Sequence, residues 1–178
     1  MNMIEKHTKL YNYAGSKEIK NAVANYPIGI QIQSKQDINN WIYSTNQGID
    51  NSGFIICTFV IDLEGYLCIA DRHSEHVACS GGNPVFSAGE IFFVPNKNEY
   101  EIAEISNQST GFCPEPDSWF SVSQALDRIP LNHPGEFTMN FIFRRCVKCG
   151  LLNLVKENLF VCADCNTELP KNWNCNLP

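Results

Sequence analysis

Residues 53–70, GFIICTFVIDLEGYLCIA, consist of two apolar runs on either side of the short polar segment Asp62-Leu63-Glu64-Gly65. Runs rich in Ile, Val and Phe are typical of buried strands, and a turn segment with glycine between two such runs is typical of a β-hairpin. The same order recurs in residues 90–106, where EIFFV and YEIAEIS flank the turn segment PNKNE. The sequence therefore predicts two hairpins that contribute to a mainly antiparallel sheet.

Two segments outside the hairpins have the pattern of amphipathic helices. In the first, Ser34 and Asp37 have the spacing of a helix start, and apolar residues on one helical face follow them. In the second, apolar residues recur at helical spacing through residues 119–129, after Asp117 or Ser118 as the expected N-cap. We expect both helices to pack on the sheet through their apolar faces.

Four cysteines form two C-x-x-C pairs, Cys146 with Cys149 and Cys162 with Cys165. Each pair can present two sulfurs to one ion, and two pairs complete a tetrahedral thiolate shell with Zn–S distances of about 2.3 Å. With these pairs and the apolar runs between them, residues 143–170 resemble the zinc-ribbon family. Four thiolates leave no coordination position open, so the expected cofactor is a structural Zn²⁺. Iron in the same site and a pair of disulfides are the alternatives.

These elements predict an α+β fold: a mainly antiparallel sheet built from hairpins, two flanking helices and a C-terminal zinc ribbon. Residues 28–33 and 137–143 are the further predicted strands, because the first alternates isoleucine with other residues and the second is apolar and leads into the cysteine pairs. The expected domain division is an α+β domain over residues 1–142, followed by the ribbon and tail over residues 143–178.

Polar residues concentrate in the glycine-rich and serine-rich stretch 71–90, which we interpret as a long loop after a strand, a common place for functional side chains. Together with the loop 107–116, it is predicted to form a polar pocket. The candidate catalytic residues are His73, Ser74, Glu75 and His76, with one histidine as general acid or base. The candidate ligand-binding residues are Arg72, Gly81, Gly82, Asn107, Ser109 and Glu115, with the two glycines near a phosphate. The competing interpretation is that these side chains cap strand ends and bond one another.

A short pattern in this region resembles a known domain. The matching residues are His73-Ser74, Gly81-Gly82, Val85, Ala88-Gly89, Ser109 and Pro114. They resemble the pattern H-S-S…G-G…A-A-G…S-G-H-Y-x-P of plant IQ-motif calmodulin-binding proteins and certain bacterial effector toxin domains. The resemblance implies nucleotidyl transfer that uses a serine, a histidine and a glutamate. Gly111 stands where that pattern has its histidine, so this chain would use His73 or His76 instead, or would bind without catalysis.

The chain as a whole also resembles an uncharacterised bacterial family, which implies no activity. Two functional hypotheses remain open, and they leave open whether the protein is an enzyme. The first is a zinc-stabilised domain that handles a small molecule or a nucleotide, with a transferase as the reaction class. The second is a non-catalytic protein-interaction module of a bacterial toxin, immunity or defence system.

Composition excludes several other classes. With 178 residues, of which 44% are hydrophobic, the chain has enough apolar side chain to fold around a core. The formal net charge is -6, from 13 basic and 19 acidic residues, which argues against nucleic acid as a partner. Arg144, Arg145 and Lys148 form a small basic cluster that we expect to be solvated. The sequence has no run of about 18 apolar residues and no apolar leader, so we expect a cytoplasmic protein without membrane contact.

Overall fold

The computed structural model describes residues 9–176. In this range the protein has an α+β fold with four α-helices, a five-stranded antiparallel sheet and a two-stranded sheet, which confirms the predicted fold class. The helices are α1 Lys17–Ala22, α2 Lys35–Ser44, α3 His76–Cys79 and α4 Trp119–Asp127, and a short 3₁₀ helix, Pro116–Ser118, precedes α4. The strands are β1 Ile30–Ile32, β2 Ile55–Ile61, β3 Leu67–Asp71, β4 Ser87–Asn96, β5 Glu99–Ile105, β6 Ile142–Arg145 and β7 Leu152–Val155.

The large sheet has the strand order β1-β3-β2-β4-β5, and every neighbouring pair is antiparallel. Both predicted hairpins are present, β2 with β3 and β4 with β5. They lie side by side because β2 also pairs with β4, in a register that places Thr58 opposite Glu90. The ends of β3, β4 and β5 can therefore contribute side chains to one region of the sheet.

One face of the sheet carries the main apolar core. Ile38, Trp41 and Ile42 of α2 and the apolar stripe of α4 pack there against residues such as Phe59 and Ile91. Helix α2 begins with the predicted capping box: the Ser34 side chain accepts a hydrogen bond from the backbone of Asp37, whose carboxylate accepts one from the backbone of Ser34. Both predicted flanking helices thus lie on the same side of the sheet.

The opposite face is covered by segments that carry little regular structure. Tyr11, Cys79, Phe112 and Trp173 come from four separate parts of the chain and pack on it beside Val60. Because both faces are covered, every residue of β2 is buried. The short helix α3 was not predicted, because it lies within the stretch 71–90 that we interpreted as a loop.

Two local expectations differ from the structure. The strand expected over residues 137–143 begins only at Ile142, because the backbone of Thr138 bonds to the carbonyl of Ile105 at the edge of the large sheet. The Ser118 side chain does not cap α4, since its hydroxyl bonds to the Ser87 hydroxyl at 2.9 Å. In both places a long-range contact decides the local geometry. Among residues 9–176, no helix is both long enough and apolar enough to span a membrane.

Candidate functional site

The four cysteines of the two C-x-x-C pairs form a cysteine cluster: Cys146, Cys149, Cys162 and Cys165. Their sulfur atoms all lie within 4.8 Å of one another. The Sγ–Sγ distance is 3.5 Å between Cys146 and Cys165 and 3.6 Å between Cys149 and Cys162. A tetrahedron with metal–sulfur bonds of about 2.3 Å has sulfurs about 3.8 Å apart, so the cluster has the size of a four-thiolate metal site.

Local turns bring the four sulfurs together. At the first pair, the β6–β7 hairpin is closed by a bond from the Cys146 amide to the Leu151 carbonyl, and Gly150 adopts a φ of +76°, which favours glycine. At the second pair, Asn166 adopts a φ of +58° and its amide bonds to the Cys162 carbonyl. Both turns bring their two cysteines into the shared cluster, as the C-x-x-C spacing predicts.

Asn153 is a buried residue beside the cysteine cluster that the sequence analysis missed. Its amide nitrogen donates to the Leu151 carbonyl at 2.9 Å and lies 3.6 Å from the sulfur of Cys162. Its carbonyl oxygen accepts from the backbone of Ala163 at 2.9 Å. Backbone N–H groups of Cys165 and Asp164, together with this amide, lower the pKa of Cys162 to about 6. These bonds favour the thiolate that a metal requires.

The expectation that the neighbouring basic residues are solvated is wrong for Arg144. Its side chain is only 4% exposed and forms a two-point ion pair with Glu115, with N–O distances of 2.6 and 3.1 Å. The same guanidinium donates to the carbonyls of Phe143 and Lys171. Arg145 donates to the carbonyls of Ala14, Gly150 and Cys175, while Lys148 is exposed. The two arginines therefore attach the cysteine-containing segment to the rest of the protein.

A polar cavity of about 220 Å³ lies at the ends of β3 and β5, beside α3. Its lining residues are Thr58, Arg72, His73, Ser74, Glu75, His76, Glu90, Gln108, Ser109 and Thr110. The structure thus brings all four candidate catalytic residues into one cavity, together with the candidate binding residues Arg72 and Ser109. Thr58 orients this loop, because its hydroxyl lies 3.1 Å from the carbonyl oxygen of Ser74, to which it donates, and 3.4 Å from that of Arg72.

Four lining residues were not named as candidates: Thr58, Glu90, Gln108 and Thr110, of which only Thr58 lies outside the two predicted loops. The sequence contained a signal for Thr58 and Glu90. Thr58 interrupts an otherwise apolar strand and Glu90 directly precedes the apolar run 91–94, and a polar residue at such a place needs a partner or a site. That both face the same cavity follows from the pairing of β2 with β4.

The side chain of His76 is fixed by a hydrogen bond to the backbone of β4. Its Nε2 lies 2.9 Å from the carbonyl oxygen of Gly89. A carbonyl can only accept, so Nε2 carries the proton in the neutral ring and Nδ1 keeps its lone pair. Burial lowers the pKa of His76 below its ordinary 6.5, although the bond to Gly89 partly opposes this. The imidazole is therefore held neutral, with one nitrogen able to accept a proton.

The other candidate binding residues lie outside this cavity. Asn107 is fully buried, and its side chain bonds to the carbonyls of Pro114 and Phe141 and to the amide of Phe141. Glu115 is the partner of Arg144. Gly81 and Gly82 line a different cavity of about 230 Å³ that also includes Lys20 and Tyr26.

The comparisons with known proteins found no match, whether with family models, with curated proteins or with solved structures. The resemblances to the zinc ribbon and to the IQ-motif and effector domains therefore rest on the residues quoted above. The geometry of the cysteine cluster is compatible with a zinc ribbon.

Replacing Gly89 by alanine tests the close packing of β4 against the backbone of residues 106–107, beside the polar cavity. A Cβ at this position would lie 1.8 Å from the carbonyl oxygen of Ser106, a backbone atom that cannot move without displacing β5. We expect Gly89→Ala to lower the free energy of unfolding by about 3 kcal/mol, measured by urea denaturation. Gly48→Ala is the matched control, because nothing lies within 4 Å of its added Cβ. Equal stability of the two variants would contradict the packing of β4 against residues 106–107.

Proposed function

We propose that the protein is a metal-stabilised domain that binds a small polar molecule in the polar cavity, with His76 as the residue that accepts a proton from it. The observation that supports this most directly is the tautomer of His76, set by Gly89, in a cavity that Ser74, Ser109 and Thr110 also line. A neutral imidazole whose Nδ1 carries a lone pair suits a general base, and a hydroxyl is the group whose proton it would take. Transfer of a group onto a ligand hydroxyl is the reaction class that this arrangement would serve.

The charges of the cavity restrict the ligand. Arg72 and His73 are its basic lining residues, and Glu75 and Glu90 are its two carboxylates. A complementary ligand would carry hydroxyl groups, an anionic group to pair with the basic residues, and a cationic or hydrogen-bond-donating group to pair with the carboxylates. The glycine pair 81–82 lines another cavity, so a phosphate of this ligand would be bound by Arg72 rather than by those backbone amides.

For the cysteine cluster we propose Zn²⁺ as the ion, in a structural role. Four thiolates would hold it, and they leave no position for a substrate or water. The metal would then stabilise residues 143–170, which contact the loop 107–116 through the ion pair between Arg144 and Glu115. Part of this loop lines the polar cavity, so the metal site would support the ligand site indirectly.

A binding screen with His76→Gln tests the proposed ligand site. We expect at least one compound among nucleoside phosphates, sugar phosphates and free amino acids to raise the melting temperature of the wild-type protein and to lose this effect in His76→Gln. His133→Gln is the matched control, because His133 lies near Trp119 and not in the polar cavity. A ligand that stabilises His76→Gln as well as wild type would refute the role of His76.

The same variant gives an expected pH dependence. The pKa of His76 is lower in the folded protein than its ordinary 6.5, so the unfolded chain binds more protons below that value. Stability is therefore undiminished above about pH 6.5 and decreases as the pH falls from there towards the folded pKa. Thermal denaturation between pH 7.5 and 5 should show this decrease in wild type and a smaller one in His76→Gln. Identical pH profiles would show that His76 is not held neutral.

A further inference from the structure

Two cysteines outside the cysteine cluster, Cys113 and Cys175, lie far apart in the sequence but share one buried apolar cluster with Phe143. Both are fully buried. The Cys113 thiol donates to the Thr110 carbonyl at 3.3 Å, and the Cys175 thiol donates to the Phe143 carbonyl at 3.2 Å. This buried cluster joins the loop 107–116 to the C-terminal segment.

The neighbours of these cysteines hold them in place from both sides. The Trp173 indole N–H donates to the Cys113 carbonyl at 2.7 Å. Asn174 and Arg145 exchange two hydrogen bonds, at 2.7 and 2.9 Å, directly before Cys175. The two sulfurs are thus positioned by backbone and side-chain bonds that do not involve the sulfurs themselves.

The charges around the pair distinguish the two sulfurs. The neighbouring Cys113 thiol and the guanidinium groups of Arg144 and Arg145 lower the pKa of Cys175 despite its burial. The neighbouring Cys175 and burial raise the pKa of Cys113. Cys175 is therefore the thiol that ionises first, and a thiolate is the form that attacks a disulfide.

We propose that Cys113 and Cys175 form a reversible disulfide that fastens the C-terminal segment to the loop 107–116. The oxidant class is a small disulfide such as oxidised glutathione. The Cys175 thiolate attacks one of its sulfurs and releases a glutathione thiolate, which takes up a proton. Cys113 then loses its proton and attacks the mixed disulfide at Cys175, which forms the Cys113–Cys175 bond and releases the second glutathione. The two thiols lose two electrons and two protons, and oxidised glutathione gains them.

Access to the buried sulfurs requires only a local opening. Residues 169–176 contain no helix or strand, and segments of this kind open at much lower free energy than the core of a sheet. A disulfide between residues so far apart in sequence would also restrict the unfolded chain, which stabilises the folded state where the native geometry accommodates the bond. Oxidation would therefore stabilise the closed conformation of the C-terminal segment, residues 169–176.

The test uses the full-length, metal-loaded protein in glutathione buffers of increasing oxidised fraction. Free thiols are then blocked with N-ethylmaleimide, and the protein is digested without reductant and analysed by mass spectrometry. We expect a linked peptide pair containing Cys113 and Cys175 that disappears with dithiothreitol, while the bound metal is retained. Hydrogen exchange of residues 169–176 should become several-fold slower in the oxidised protein.

Two variants distinguish formation of the Cys113–Cys175 disulfide from non-selective oxidation of the cysteines. In Cys113→Ser, we expect Cys175 to remain as a glutathione mixed disulfide, and Cys79→Ser, which replaces another buried thiol, should form the linked pair like wild type. The proposal is overturned if wild type with retained metal shows no linked pair even in excess oxidised glutathione. It is equally overturned if Cys175 links to a cysteine of the cluster instead. Because the main measurement is made on wild type, it does not depend on whether a variant folds.

Discussion

Cys149→Ser is expected to release the bound metal and to unfold residues 143–170. A serine hydroxyl is a poor replacement for a thiolate ligand, and the free energy of zinc binding in small thiolate modules, about 10–16 kcal/mol, is largely their folding free energy. The metal content of purified protein should fall from one zinc ion per chain to nearly none. The amide resonances of the cysteine-containing segment should lose their dispersion at the same time.

Cys68→Ser is the matched control for this experiment. Cys68 is a buried thiol of β3, outside the cysteine cluster, and its sulfur bonds to the Asp62 carboxylate at 3.3 Å, a bond that a serine hydroxyl can also form. We expect this variant to retain its metal. An absence of metal from freshly purified wild type, or disulfides joining the four cysteines, would contradict the proposed metal centre, as would chelation that leaves the segment folded.

Glu115→Ala is expected to destabilise the protein by about 3–5 kcal/mol. The Arg144 guanidinium would stay buried without its carboxylate, and an unpaired buried charge is one of the costliest single defects in a folded protein. The loss should appear in urea denaturation as a lower midpoint. Glu115→Gln keeps an acceptor without the charge, so an intermediate loss is expected.

The exposed ion pair between Lys35 and Glu99 provides the comparison. Its N–O distance is 2.7 Å, similar to that of the buried pair, but its side chains are 33% and 54% exposed. Solvent screens such a pair, so Glu99→Ala should change the free energy of unfolding by less than about 1 kcal/mol. Similar losses in Glu99→Ala and Glu115→Ala would show that burial of Arg144 does not determine the strength of its ion pair.

Local sequence patterns predicted the elements that are formed by residues close together in the sequence. The two hairpins, the capped start of α2 and the apolar stripe of α4 each depend on residues within about a dozen positions, and each was found. Short elements were predicted less well. Helix α3 has only four residues, which is too short to show periodicity, and β6 is shorter than its apolar run because the preceding residues bond to β5.

The residues of the candidate sites divide in the same way, into those that local spacing predicted and those that only contacts between distant segments determine. The C-x-x-C spacing identified all four members of the cysteine cluster, because two ligands within one tight turn must lie close together whatever the rest of the chain does. His73 to His76 were identified as a polar group, but their neighbours Thr58 and Glu90 come from other strands. Asn107 had the same polar character as the cavity residues in the sequence, yet its partners are backbone groups of Pro114 and Phe141.

The sequence by itself therefore determined the α+β class, the two hairpins and the four-cysteine cluster, because periodicity and short spacing express local geometry. Only the tertiary structure decided that Arg144 is buried against Glu115, that His76 is held by Gly89 and that Cys113 and Cys175 share one buried cluster. Each of these contacts joins residues that are separated along the chain, and strand pairing and core packing, not local spacing, bring them together.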